Sequence, residues 1–315
     1  MKILYIERQH TDTFSYYNEI MKAVGNEAQT YQYSNWSPKQ KLNLHVRDLA
    51  TYIRATNFVP EVFLFGFGWT DCSYDYPNVI DGLRESGIPT AVILNKEYAA
   101  LDKKLDWIKD LNPICAFTVH HDYQEYEKTT GIPFYQLPFA VNPDIFKDYG
   151  EEYDCDFGFT GIVRPEQTNN WRQKIEERSR EWEDINFSFS AHRRDTLESY
   201  ARRISRSKIW LSTTGPGDLV GPRYYEVMAA GRTLLMCNRF DRGYEGLFSE
   251  DEHCVMFETL EELEDKLRYY LANEDKRVQI IRNAQAHTLK HHTWQERAQR
   301  VISGITENLE KKTDE

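Results

Sequence analysis

Apolar positions along this chain fall into short blocks separated by longer amphipathic segments. Residues 2–6, 62–65, 90–94 and 114–119 are apolar runs of strand length and 29–33 is a further short strand candidate, while 16–24, 39–56, 78–85 and 101–111 carry helical spacing. Glycines stand at two of the helical stops, Gly25 and Gly87. Short apolar runs alternating with helical segments of this size indicate βαβ units on a parallel sheet. Residues 132–146 hold Pro133, Pro138 and Pro143 and read as a crossing segment. Charge gathers just after it, over 147–156, which places a domain boundary near 145–152. The alternation then resumes, with strands at 157–160, 186–190, 208–212 and 233–237 and helices at about 168–182, 196–207 and 222–231. From Leu260 onward the chain reads as helical. Thr259 with Glu262, and Thr293 with Glu296, have the spacing of capping boxes and mark two helix starts. The expected architecture is α/β: two Rossmann-like, doubly wound lobes, 1–148 and 149–315, with an interdomain cleft and a helical C-terminal tail.

At 315 residues the chain has room for two such domains. Its formal net charge of −11 argues against nucleic acid as a general partner, because phosphate-backbone binding needs a basic surface. Five cysteines, odd in number, scattered and without a CxxC pair, favour a reducing compartment over a disulfide framework. The opening apolar run meets Glu7 too soon to be a signal sequence. No apolar run approaches the roughly 18 residues of a membrane span. A cytoplasmic location is the expectation.

The most informative stretch is 215–231. A glycine-rich turn follows the apolar Ile209-Trp210-Leu211, a helix opens on Pro222 and Gly231 ends it. Strand, Gly-rich turn and helix N-terminus together make an anion seat, because unbonded backbone N–H groups point outward there. Ligands of open α/β sheets bind at the carboxyl ends of strands. The turns Gly161–Arg164 and Gly215–Gly221, the latter holding Gly217, are therefore the candidates. Arg164 and Arg223 offer planar forks that match phosphate oxygens in two places. Glu226 and Asp218 can accept from ribose or sugar hydroxyls. A plainer reading stands beside this one: Arg223 and Glu226 are spaced i, i+3 and would also serve as a helix ion pair, and Asp218 would only shape the turn.

Asp218, seven intervening residues, Glu226, then Ala-Gly and an apolar run resemble the E-x7-E region of group 1 glycosyltransferases of GT-B fold. Arg223-Tyr-Tyr-Glu226-Val-Met-Ala229-Ala-Gly231 is closer to the CgeB-like, spore-maturation-type branch. Further matches lie in order at Leu137-Pro-Phe-Ala-Val-Asn-Pro-Asp-Ile-Phe146, Asp156-Phe-Gly-Phe-Thr-Gly161, Thr259-Leu-Glu-Glu-Leu263 and His292-Thr293-Trp294 with Arg297. The resemblance covers roughly 135–302. It implies a transferase whose C-terminal lobe holds a nucleotide-sugar and whose N-terminal lobe holds a carbohydrate or other hydroxyl acceptor. By that resemblance Gly161, Arg164, Gly217, Arg223, Tyr225 and Glu226 form the donor site, with Glu226 at the ribose and Asp218 at the donor sugar. No cofactor is implied, since the nucleotide-sugar is a substrate. The first acid is aspartate, a methylene shorter than the glutamate of the pattern, so retention of anomeric configuration does not follow from it. A nucleotide-sugar epimerase and a non-catalytic nucleotide-sugar-binding protein are the alternative readings.

Other chemistry-bearing groups read more plainly. Asp154-Cys-Asp156 is a D-x-D that precedes a strand and lacks the surroundings of a metal-binding one. His287 and His291, spaced i, i+4, have the zinc-binding interval without a glutamate motif around them, and a solvated helix face is expected. No metal site is expected anywhere in the chain. Arg193, Arg194, Arg202, Arg203, Arg206 and Lys208 form a basic run, expected to be a solvated face. In the first lobe Glu7–His10, Gly66–Asp71, Asn95–Glu97 and His120–Asp122 lie on loops after strands. His120 is the candidate general base there.

Overall fold

The computed structural model describes residues 1–7, 16–33, 44–45, 51, 54–70, 80–161, 163, 171–190, 196–240, 242–243 and 245–313. It divides into two compact units, Met1–Pro138 with Trp294–Glu315, and Phe139–Thr293. The division falls ten residues before the expected 148/149 boundary, and the last helix belongs to the first unit instead of the second.

In the first unit the elements run β1 (Lys2–Ile6), α1 (Tyr16–Glu27), β2 (Gln29–Tyr33), β3 (Leu44–His45), β4 (Val62–Phe65), β5 (Ile80–Asp81), β6 (Thr90–Leu94), α2 (Leu101–Leu111), β7 (Cys115–Thr118), α3 (Tyr123–Thr130) and β8 (Phe134–Gln136). Six of these strands make one parallel sheet in the order β2-β1-β4-β6-β7-β8. Its central strands β4, β6 and β7 are buried at every position. That is why they read as continuous apolar runs: a parallel strand is covered on both faces. The expected helix over 78–85 does not form, since 80–81 pair as β5 with β3 and 82–86 are turn. The expected helix at 39–56 lies mostly outside the described residues; of those described, 44–45 are strand while 51 and 54–56 are helical. Helix α3 and strand β8 lie where the sequence showed no element and a crossing segment.

The second unit runs β9 (Cys155–Thr160), α4 (Trp171–Ser179), β10 (Phe187–Ser190), α5 (Leu197–Ser205), β11 (Ser207–Ser212), α6 (Pro222–Ala229), β12 (Leu234–Asn238), β13 (Val255–Phe257), α7 (Leu260–Ala272) and α8 (Glu274–His291). Its five parallel strands lie in the order β10-β9-β11-β12-β13. Thr259 accepts the Glu262 N–H at 3.1 Å, and the Glu262 carboxylate accepts the Glu258 N–H at 2.7 Å, so the capping spacing does start α7. Thr196 caps α5 in the same way, from Ser199 N–H at 3.1 Å.

The chain ends on α9 (Trp294–Thr313), which returns to the first unit for a reason visible in its spacing. Trp294, Ala298, Val301 and Ile305 are buried and form one stripe. That stripe lies against α1 and β7, with Tyr16 stacked on Trp294 and Gly304 leaving room for the Phe117 ring. Asn308 donates to the Tyr135 hydroxyl at 2.8 Å.

In both sheets the strand order reverses once, between β1 and β4 and between β9 and β11. The carboxyl ends beside such a switch point are where an open α/β sheet binds ligands. In the second unit those ends are Gly161 and the segment after Ser212.

Candidate donor site

At that switch point the sequence builds a loop and then a helix. Gly215 N–H donates to Leu219 O at 2.9 Å and closes a tight turn, in which Gly217 (φ 70°) and Asp218 (φ 57°) are both left-handed. Glycine takes that conformation freely, and aspartate is among the few side chains that tolerate it. Both residues are exposed. Helix α6 follows, with Gly221 as N-cap, Pro222 in its first turn and no side-chain cap, so its N-terminal N–H groups remain available to an anion. Gly231 (φ 74°) stands just past its end, and Gln285 donates to Ala229 O at 3.2 Å.

Three arginines gather at the end of β9. The Arg223 guanidinium lies 5.5 Å from the Phe159 ring centroid, and a side chain at Gly161 would meet its Nη2 at 3.3 Å. Arg172, from α4, stands 5.4 Å from the same ring and donates from Nε to the Thr213 hydroxyl at 2.8 Å. Arg203, from α5, points Nη1 at the Thr160 hydroxyl at 3.5 Å. Burial, and then the neighbouring Arg223 charge, push the Arg172 pKa down to about 10. Glu226 is buried and joins this group through Tyr200: the Tyr200 hydroxyl donates to Glu226 Oε2 at 3.3 Å and accepts from Arg223 Nε at 3.2 Å. Arg223 and Glu226 are thus parts of one network around a third side chain.

The other expected site residues fall as follows. Gly161, Gly217, Arg223 and Glu226 lie at the switch point, and Asp218 is at the tip of the turn. Arg164 lies outside the described residues. Tyr225 has no exposed surface and its ring packs 5.1 Å from His292, so its part in this structure is to seat α6. Arg172, Arg203 and Tyr200 are donor-site residues that the sequence alone does not single out. Arg203 belongs to the basic run expected to be a solvated face, most of whose described members are ion-paired: Arg202 with Glu151 and Glu198, Arg206 with Asp154 at 3.2 Å, and Lys208 with Asp156 at 2.7 Å. These last two pairs occupy both carboxylates of the D-x-D.

In the first unit, His120 follows β7 and is buried. Its Nδ1 accepts the Asp122 N–H at 3.1 Å, which leaves the ring proton on Nε2 when the imidazole is neutral. In that tautomer Nε2 donates, so His120 is built to give a hydrogen bond instead of to take a proton as a general base. Nearby Glu97 is buried, accepts from the Thr118 hydroxyl, and is held above the ordinary glutamate pKa chiefly by burial. Thr118 in turn accepts the His120 N–H at 3.2 Å.

Among the described residues no helix is long and apolar enough to cross a membrane. A search of curated proteins finds no significant match. The chain is similar over its whole length to solved glycosyltransferase structures. A glycosyltransferase from Rickettsia africae is 11% identical, with 98% of each chain covered and a TM-score of 0.66. The sucrose-phosphate synthase of Thermosynechococcus elongatus is 11% identical, covering 96% of this chain and 98% of the other at a TM-score of 0.64. Anabaena HepE in complex with UDP-glucose is 11% identical, covering 98% and 100% at a TM-score of 0.61. The shared fold is GT-B, which agrees with two parallel α/β sheets and a helical C-terminal region. Residues 148–303 match the family model described as glycosyl transferase-like, so this region of the chain is glycosyltransferase-like.

Proposed function

We propose that the protein transfers a glycosyl group from a nucleoside-diphosphate sugar to a hydroxyl acceptor, and that the second unit binds the donor. The observation that carries this reading is the gathering of Arg172, Arg203 and Arg223 beside the N-terminus of α6, in a chain of net charge −11. Guanidinium forks and a helix N-terminus hold the diphosphate and take up the charge that develops on it as the glycosidic bond breaks. No metal is needed for that step. Buried Glu226, oriented by Tyr200, accepts from the ribose hydroxyls, and Asp218 at the turn tip reaches the donor sugar. The complexes of HepE with UDP-glucose and of a pneumococcal O-GlcNAc transferase with UDP and GlcNAc support a donor of this class. The acceptor, a carbohydrate or glycosylated molecule, is assigned to the loops after β6 and β7 of the first unit, with His120 Nε2 as a hydrogen-bond donor there. The finer placement in the CgeB-like branch rests on the motif around Arg223 and Glu226. A cytoplasmic site of action suits a nucleotide-sugar substrate.

The test is turnover of UDP-, GDP-, dTDP- and ADP-sugars with donors first ranked by thermal shift, because a ligand of the folded state raises apparent stability by mass action. Arg223→Ala and Glu226→Ala are expected to lower kcat/KM by about a hundredfold or more while leaving the circular dichroism unchanged. Full activity in both variants would overturn the donor site. Conversion of a donor in the absence of any acceptor would replace transfer with epimerisation.

A further inference from the structure

Three polar atoms of the second unit converge near the end of α8. The Nε2 atoms of His287 and His292 stand 3.1 Å apart, and they approach the Leu247 carbonyl oxygen at 2.6 and 2.8 Å respectively. Leu247 follows Gly246, whose φ of 76° lies in the left-handed region. His287 is one turn from the end of α8, and His292 closes that helix by donating its N–H to Thr288 O at 2.8 Å. His292 is buried and His287 half-buried. A third imidazole, His253, stacks on His287 with centroids 4.3 Å apart, and its Nδ1 is fixed by the Ser249 N–H at 2.9 Å.

We propose that His287 Nε2, His292 Nε2 and the Leu247 carbonyl oxygen form a binding site for a borderline-soft divalent cation of the zinc type. Imidazole nitrogens bind zinc at about 2.0–2.1 Å, and at that bond length neighbouring ligand atoms lie about 2.9–3.4 Å apart, depending on the ligand–metal–ligand angle. The nitrogen–nitrogen edge of the triangle already has this length, and the two nitrogen–oxygen edges need to open by a few tenths of an ångström. Two imidazoles select zinc, cobalt, nickel or copper over magnesium and calcium, which prefer all-oxygen sites. Half-exposed His287 leaves one side open for water to complete the coordination, and the stacked His253 holds the His287 ring in plane. The i, i+4 pair His287–His291 that the sequence offers is not the ligand pair. His291 is exposed, with its ring 5.1 Å from that of His287 and 6.4 Å from that of His292.

A cation here ties the turn at 245–247 to the end of α8. Through His292 it also braces two further segments: the His292 carbonyl accepts the Val141 N–H at 3.0 Å, and its ring lies beside Tyr225 on α6. The site supports α6 from its buried side and takes no part in the transfer step.

Cobalt titration of the full chain, followed by visible ligand-field absorption, tests the site, with zinc displacing the cobalt and the melting temperature recorded for each form. One equivalent of cobalt is expected, displaced by zinc, with a higher melting temperature for the zinc form. His287→Asn and His292→Asn should each weaken binding by about tenfold or more, while His291→Asn and His121→Asn retain it. The His121 control matters because His120, His121 and Asp122 also place ligand atoms within 4.8 Å of one another. No stoichiometric uptake by the wild type would overturn the proposal. So would uptake that survives in His287→Asn/His292→Asn and disappears in His121→Asn. Should either variant misfold, zinc-edge X-ray absorption of the wild-type protein decides: two imidazole scatterers are expected, and a shell without them refutes the site.

Discussion

Arg172 and Arg223 approach one aromatic ring, Phe159, from α4 and α6, and burial followed by the Arg223 charge lowers the preference of Arg172 for its charged form. Two cations brought together in a half-buried corner repel, and an anion between them reverses the sign of the arrangement. Arg172→Ala should therefore weaken binding of the donor nucleotide that ranks first by thermal shift, measured by titration calorimetry, by about 1.5–3 kcal/mol, roughly tenfold to a hundredfold or more. Arg172→Lys should recover little of this, because an ammonium cannot reproduce the planar fork. Unchanged affinity in Arg172→Ala would remove it from the site. The sequence made Arg223 and Glu226 legible because their spacing is local, three residues on one helix. Arg172 and Tyr200 were not legible as site residues, because they meet Arg223 only after β9, α4 and α5 fold around the switch point. His120 was legible by position, following a strand, but not by tautomer, which depends on the Asp122 N–H two residues on.

Elements were legible where burial on both faces leaves no other reading. The apolar runs at β1, β4, β6, β7, β11 and β12 all became sheet strands because a parallel strand has no polar face to show. Short pieces were lost: β8 and β13 have three residues each, too few for a period to register. The residues at 80–81 carry helical spacing by chance and pair with β3 instead. Within the second sheet, packing at one position is testable. Gly158 on β9 lies opposite Trp210 on β11, and a methyl group there would sit 2.3 Å from Trp210 Cε3 and 2.5 Å from Cζ3. The indole is wholly buried and cannot swing away. Gly158→Ala should then cost about 1–3 kcal/mol by overpacking, read as a lower denaturant midpoint with far-ultraviolet circular dichroism as the probe. A midpoint equal to the wild type would mean that β9 and β11 can part without cost.

At the scale of the molecule, the sequence showed the number of α/β units and their alternation but not where the chain crosses back. Nothing local distinguishes α9 from α7 and α8: all three are amphipathic, and two of them follow capping spacings. What separates α9 is its partner, since the stripe Trp294–Ala298–Val301–Ile305 covers α1 and β7 of the first unit. That assignment makes a prediction a contiguous C-terminal domain would not. Ile305→Ala removes buried methylene groups from the first unit and should cost it about 2–5 kcal/mol. Hydrogen exchange should quicken along α1, β7 and α9, while β9, β11 and β12 keep their protection, because local stability follows the unit that lost its contacts. Donor-nucleotide binding by the folded variant should be unchanged, since every residue assigned to the donor lies in Phe139–Thr293. If protection fell instead along β9–β13, or if donor-nucleotide affinity dropped with the fold intact, α9 would belong energetically to the donor unit and the division at Pro138 and Trp294 would be wrong.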